Sequence, residues 1–206
     1  MKYISKGMVI KASTEELLFV TRHGINFQLT DLQAELWLNG RYGFAESGGN
    51  ILEGKALQQL KRQGLVELVE SDESAAEYRA LTQCVLVPAQ PQGHRVLLST
   101  REKELLRWLT DAGLHLTTAE LVLLAEHRVK PTADLLGERN RQRLTERIYT
   151  QETIFDNILE AQMEHAAARD EVVDALLRLL EKRRILLCGH GFSGQGVPAA
   201  GAGAEL

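Results

Sequence analysis

Hydrophobic and polar positions along this chain form two runs of short elements, separated by a proline-containing stretch near the middle. Met8-Val9-Ile10 and Leu17-Leu18-Phe19-Val20 flank a polar segment, which predicts two short strands about a turn. A helix capped at Ser13 or Thr14 is the alternative there. The first firm helix follows Thr30. That residue is a suitable N-cap, Gln33 completes a capping box, Leu32 and Leu36 share a face, and Asn39-Gly40 ends it. After the loop Gly48-Gly49-Asn50, a second helix is predicted from about Leu52 to Gln63, with Leu57 and Leu60 inward and Gly64 just past its end. Leu65 to Glu70 alternates as a strand, Ser71 to Ser74 is a polar turn, and Tyr78 to Val87 reads as the returning strand of a hairpin.

Pro88 to Gly93 carries two prolines and a glycine and is the natural linker. It divides the chain into residues 1–90, residues 91–188 and a glycine- and alanine-rich tail over 189–206 that cannot bury a core. The second run is more helical. Ser99 or Thr100 caps a helix to about Ala112 that carries Leu105, Leu106, Trp108 and Leu109. Leu116-Thr117-Thr118 starts another, ending before Pro131, and Thr132 caps a short one to Leu136. Arg139 to Tyr149 is basic and helical in pattern. Glu152 to Ala168 and Asp170 to Arg183 each carry a wide apolar stripe at helical spacing, and Ile185 to Cys188 reads as a final strand.

The two halves echo one another. Leu29-Thr30 before Ala34-Glu35-Leu36 is matched by Leu116-Thr117 before Ala119-Glu120-Leu121. Leu57-x-x-Leu60-x-Arg62-x-x-Leu65-Val66 is matched by Leu177-x-x-Leu180-x-Lys182-x-x-Ile185-Leu186. The second half holds an insertion between the two features, so the reading is a tandem repeat of unequal modules.

Composition changes this picture little. The 206 residues are 44% hydrophobic and only 5% aromatic, so the core must be built mainly from Leu, Val, Ile and Ala. The fold class expected is mainly α with small β-hairpins (α+β). The net charge of −4 lowers the expectation of nucleic-acid binding without excluding a local basic face. Cys84 and Cys188 are far apart and read as buried thiols, neither disulfide nor zinc framework. The N-terminal decade has no long apolar stretch and no run approaches the roughly 20 residues of a membrane span, which points to the cytoplasm.

Residues 29 to 87 resemble a winged-helix module, and MarR-like regulators most. The resemblance rests on Leu29-Thr30 before a helix, on Leu60-Lys61-Arg62-Gln63-Gly64-Leu65-Val66 closing a later helix, and on an acidic turn leading to Tyr78-Arg79-Ala80-Leu81-Thr82. It implies tandem winged-helix-like modules, a recognition helix ending at Gly64, a wing at the polar turn and an arginine near its tip. It also implies dimerisation through terminal helices, here Glu152 to Arg183. Between Gly40 and the later helix there is little room for a full second helix, which counts against DNA reading by this module.

Candidate DNA contacts are Lys55, Lys61 and Arg62 on the later helix, Arg79 on the wing strand, and Arg139, Arg141, Arg143 and Arg147 in the second half. Arg139, Arg143 and Arg147 share one helical face, interleaved with Asn140 and Gln142, residue types that read base edges. Solvated helix faces paired with Glu138 and Glu146 are the plainer explanation. The six histidines form no ligand pair at metal spacing, and neither a phosphate loop nor a nucleophile elbow is present. The expectation is therefore a non-enzymatic protein without cofactor: a DNA-binding transcriptional regulator, or a protein-interaction adaptor built on winged-helix modules.

Overall fold

In the computed structural model, the chain is described over residues 1–10, 17–22, 24–69, 74–89, 96–111, 116–126 and 167–189. These residues form an α+β arrangement of six helices and three small antiparallel sheets. In the first half the elements are β1 (Lys2–Ser5), β2 (Met8–Val9), β3 (Leu18–Arg22), β4 (Ile25–Leu29), α1 (Asp31–Asn39), β5 (Ala45–Glu46), α2 (Ile51–Gln63) and β6 (Val66–Leu68). Then come α3 (Ser74–Thr82), β7 (Cys84–Pro88), α4 (Thr100–Asp111), β8 (Leu116–Thr117), α5 (Thr118–Glu126), α6 (Ala167–Glu181) and β9 (Ile185–Gly189).

Several local expectations hold for visible reasons. Gly64 ends α2 at φ 70, a left-handed position where glycine carries no Cβ penalty. Leu57 and Leu60 are fully buried, and Ser99 caps α4 by a reciprocal pair with Glu102 (Glu102 N–H to Ser99 Oγ 3.2 Å, Ser99 N–H to Glu102 Oε2 2.6 Å). The box expected at Thr30 does not form: its side chain makes no cap, and Gln33 N–H bonds to the Thr30 carbonyl instead, at 3.1 Å. A further cap opens α2, where Asn50 Oδ1 accepts from Glu53 N–H at 2.8 Å and Asn50 Nδ2 donates to Glu53 Oε1 at 2.8 Å.

The expected wing hairpin is not there. Residues 74–82 are helix α3, so Tyr78 and Arg79 sit on a helix, and only Cys84 to Pro88 extends as β7. The partner of β6 is β1, antiparallel, with Tyr3 opposite Leu68 and Ser5 opposite Val66. The strand that completes the sheet thus comes from the N-terminus. Tyr78 and Leu81 both face the second core, an i, i+3 pair that a helix places on one face and an alternating strand would split between two.

Two sheets share one plan. Their orders are β5-β1-β6 and β8-β7-β9, each with a two-residue strand on one side and the strand after a long helix on the other. The registers also correspond. Tyr3 stands between Ala45 and Leu68, and Leu86 stands between Leu116 and Leu187. We call these unit one (β1, α1, β5, α2, β6) and unit two (β7, α4, β8, α6, β9). Unit one inserts the β2-β3-β4 sheet between its first strand and first helix; unit two carries α5 and further chain before its long helix.

The helix ends align with an offset that corrects the sequence echo. Gly64 N–H bonds to the Lys61 carbonyl and Leu65 N–H to that of Leu60; Arg183 N–H bonds to that of Leu180 and Arg184 N–H to that of Leu179. Arg183 has φ 54 and is the counterpart of Gly64. Leu57 and Leu60 therefore correspond to Leu176 and Leu179, both fully buried, one position before the leucines matched by pattern. Leu177 is only half-buried.

Each unit has its own core, and β1 serves both. Tyr3 packs with Trp37, Leu57 and Leu60, while its neighbour Ile4 packs with Leu86, Trp108 and Leu176. Successive strand residues point to opposite faces, so one short strand closes two cores. The second core also takes Tyr78, Leu81 and Cys84, so residues 74–88 pack with the second half although they precede the proline-containing linker. Gly7 joins the units at φ 113: its N–H donates to the Leu187 carbonyl at 2.8 Å, and a Cβ there would stand 2.7 Å from Val20 Cγ1. No helix among the described residues is long and apolar enough to cross a membrane.

Candidate interaction surface

Lys55, Lys61 and Arg62 all lie on α2 and are exposed. The helix is anchored by Leu57 and Leu60, which turns Lys55, Gln58, Gln59 and Arg62 to solvent on the opposite side. No carboxylate stands among the exposed residues of α2, because Glu53 is held by Asn50 and by the Gly48 N–H at 2.6 Å. The N-terminal turn of the same helix is apolar. Ile51 is 77% exposed and Leu52 is 68% exposed.

Arg79 is not a wing residue, but α3 brings it beside α2. A cleft of about 270 Å³ between α2, β6 and α3 is lined by Lys61, Glu67, Leu68, Ala76, Arg79, Ala80 and Gln83. Behind it Lys6, buried at 3% exposure, is ion-paired with Glu67 and donates to the Gln83 carbonyl at 3.4 Å. The Lys6–Glu67 pair backs the cleft, and Lys61 and Arg79 place two cationic side chains in its lining. Two of the sequence-derived candidates are thus brought together, and Lys55 and Arg62 belong to the neighbouring outward face. Arg139, Arg141, Arg143 and Arg147 lie outside the described residues, as do all six histidines.

Unit two differs at the equivalent place. The exposed residues of α6 are Asp170, Glu171, Asp174, Arg178 and Glu181, a face that repels phosphate. Its apolar stripe, Val172, Val173, Leu176, Leu179 and Leu180, is consumed by the chain's own core, so this helix offers no free stripe for a dimer; most of the companion helix expected over residues 152–168 lies outside the described residues.

Comparison with protein-family models, curated proteins and solved structures finds no match. The chemistry must therefore be read from the side chains alone. Neither thiol is poised to react. Burial pushes Cys84 up to about 12, against the lowering effect of Lys6, and burial pushes Cys188 up to about 11. Tyr3 is likewise raised to about 12, by burial first and then by Glu53 and Glu35, and its hydroxyl donates to the Leu36 carbonyl at 2.9 Å. Among the described residues no group of acids, cysteines or histidines is placed to hold a metal.

Sequence reasoning missed Ile51 and Leu52 as surface residues. It began the helix at about Leu52, with Leu57 and Leu60 inward, whereas the helix starts one residue earlier, at Ile51. The signal available was Asn50-x-x-Glu53, which fixes the start of α2 and so the phase of its faces.

Proposed function

We propose that the chain is a non-enzymatic adaptor built from two permuted winged-helix-like modules, in which α2 of unit one docks a partner protein. The observation that carries this reading is the exposed pair Ile51 and Leu52 at the N-terminus of α2. In a DNA-reading helix the N-terminal residues meet the base edges, and here that end is apolar. Two further features favour a protein partner: β6 and β7 do not form a wing, and β5 leads to α2 without an intervening brace helix. The partner that fits is an acidic amphipathic segment. Its apolar side chains cover Ile51 and Leu52, and its carboxylates meet Lys55, Lys61 and Arg62.

DNA binding is the second reading, supported by the outward row Lys55, Gln58, Gln59 and Arg62. One experiment separates the two. A photo-crosslinking residue placed at position 52 in the source cells is expected to yield a discrete protein adduct, lost on Ile51→Glu. Anisotropy with duplex DNA at low salt is expected to show no binding that depends on Lys55 and Arg62. Steeply salt-dependent affinity that disappears in the Lys55→Ala/Arg62→Ala double variant overturns the adaptor reading in favour of the regulator.

A further inference from the structure

A cluster at the junction of the two units is explained by neither reading. Arg41 and Tyr42 follow α1, and Arg183 lies in the turn between α6 and β9. The Arg41 Cζ stands 5.0 Å from the centroid of the Tyr42 ring and 5.5 Å from that of Trp37. The Arg183 Cζ stands 4.8 Å from the same Tyr42 ring. Two guanidinium groups therefore share one aromatic side chain. No carboxylate is bridged to either among the described residues, and Arg41 Nε is buried with no hydrogen-bond partner. Arg41 is held below the usual arginine value, by burial first and by the Arg183 charge, with Tyr42 acting in the opposite sense.

The backbone at Arg183 is the second observation. Its φ of 54 is left-handed, and its counterpart in unit one is Gly64 at φ 70. Glycine takes this conformation without strain and arginine does not. Complementing the helix dipole does not account for the arginine, because Lys182 already stands at that terminus. Its Nζ contacts both Glu102 carboxylate oxygens at 2.8 Å and the Leu97 carbonyl at 3.1 Å. A strained arginine is kept where glycine would serve the fold, and its charge is aimed at another uncompensated cation.

We propose that Arg41 and Arg183, held on Tyr42, form a binding site for a phosphoryl dianion at the junction of the two units. Guanidinium forks match the oxygens of phosphate and carboxylate alike. Two unneutralised positive charges select a dianion over a monocarboxylate, which would leave one of them uncompensated. Stacking on Tyr42 fixes the planes of both forks before the ligand arrives, which lowers the ordering needed on binding. Half-buried Tyr42 and exposed Arg183 leave the site open to solvent. A ligand there touches both units, since Arg41 belongs to the chain after α1 and Arg183 to the turn after α6. The dianion is supplied either by a free phosphate monoester or by the terminal phosphate of a nucleic acid.

The test is calorimetric titration of the full chain with phenyl phosphate and, at equal ionic strength, with benzoate. Saturable binding of phenyl phosphate at least tenfold tighter than benzoate is expected, weakening from pH 7 to pH 5 as the second phosphoryl proton returns (pKa about 6). Arg183→Gly is expected to lose at least tenfold in affinity while melting no lower than the parent chain without ligand. Arg41→Gln is expected to lose affinity similarly. Equal affinity for the two ligands overturns the proposal. So does an Arg183→Gly chain that melts lower and keeps its affinity, because the stack is then only a clamp between units. A 5′-phosphorylated oligonucleotide bound at least tenfold tighter than its unphosphorylated twin identifies the nucleic-acid source; phenyl phosphate binding without that difference identifies the free monoester.

Discussion

Helices α2 and α6 occupy the same place in two units with the same sheet order and register, yet they present opposite surfaces. Both bury leucines at corresponding positions, Leu57 with Leu176 and Leu60 with Leu179. Outward, α2 shows Lys55, Gln58, Gln59 and Arg62, while α6 shows Asp170, Glu171, Asp174, Arg178 and Glu181. The inner face of such a helix is constrained by packing and the outer face by whatever it meets. One plan has therefore been used for two surface chemistries, and the first has exposed apolar side chains, Ile51 and Leu52, at its tip. The net acidity of the chain is concentrated on parts such as α6 and does not describe α2.

The comparison can be broken most forcefully at the strand that the units share. Ile4→Asp buries an unpaired carboxylate in the second core from a strand that also closes the first. It is expected to destabilise the chain by about 4 kcal/mol or more. Trp37 reports on unit one and Trp108 on unit two, and these are the two tryptophans of the chain. In denaturant titrations of Trp37→Phe and Trp108→Phe chains the two transitions are expected to coincide. Separated midpoints, with only the Trp108 signal moved by Ile4→Asp, would show that the units fold independently.

A smaller effect sharpens the correspondence of the helices. Leu176→Ala is expected to cost about 2–5 kcal/mol, like Leu57→Ala, and Leu177→Ala less than about 1 kcal/mol. Equal losses at Leu176 and Leu177 in urea unfolding would remove the one-residue offset inferred from the helix ends.

The smallest effect concerns pH. Glu102 is 1% exposed in unit two. Burial pushes its carboxyl up, but the Lys182 hydrogen bond, the Ser99 N–H and the charges of Lys182 and Arg178 outweigh this and hold it below the ordinary glutamate value. Its contribution to stability is full above about pH 4.3, the unfolded value, and is lost as the pH falls through the lower folded value. Unfolding midpoints measured through Trp108 are expected to drop over that acid range, and Glu102→Gln to flatten the dependence. An unchanged slope in that variant would place the acid sensitivity elsewhere.

Much of the local structure was legible in the chain. Gly64, the leucines of α2 and α6 and the final strand follow from periodicity and from one residue with a special backbone role. The segment from Tyr78 to Val87 was not, because a short apolar run fits a strand or a helix equally, and here it divides into both. Pairing between distant strands was also illegible: nothing near Val66 specifies that its partner is Ser5 rather than a residue after the polar turn. The binding candidates were legible as residue types but not as neighbours. Lys61 and Arg79 line one cleft only because α3 packs on β6, the strand that follows α2, and Arg41, Tyr42 and Arg183 converge from positions that no local pattern connects.

The pairing of β7 with β9 also sets a timetable for synthesis. Val85 leaves the ribosome about a hundred residues before Cys188, its partner, whereas unit one has all its strands once Leu68 is made. At roughly 5–20 residues per second, β7 waits on the order of 5–20 s with one edge unpaired. Both of its faces are apolar in the meantime: Cys84 and Leu86 on one, Val85 and Val87 on the other. The nascent chain is therefore most exposed to aggregation, and most in need of a chaperone, after unit one has closed and before α6 emerges.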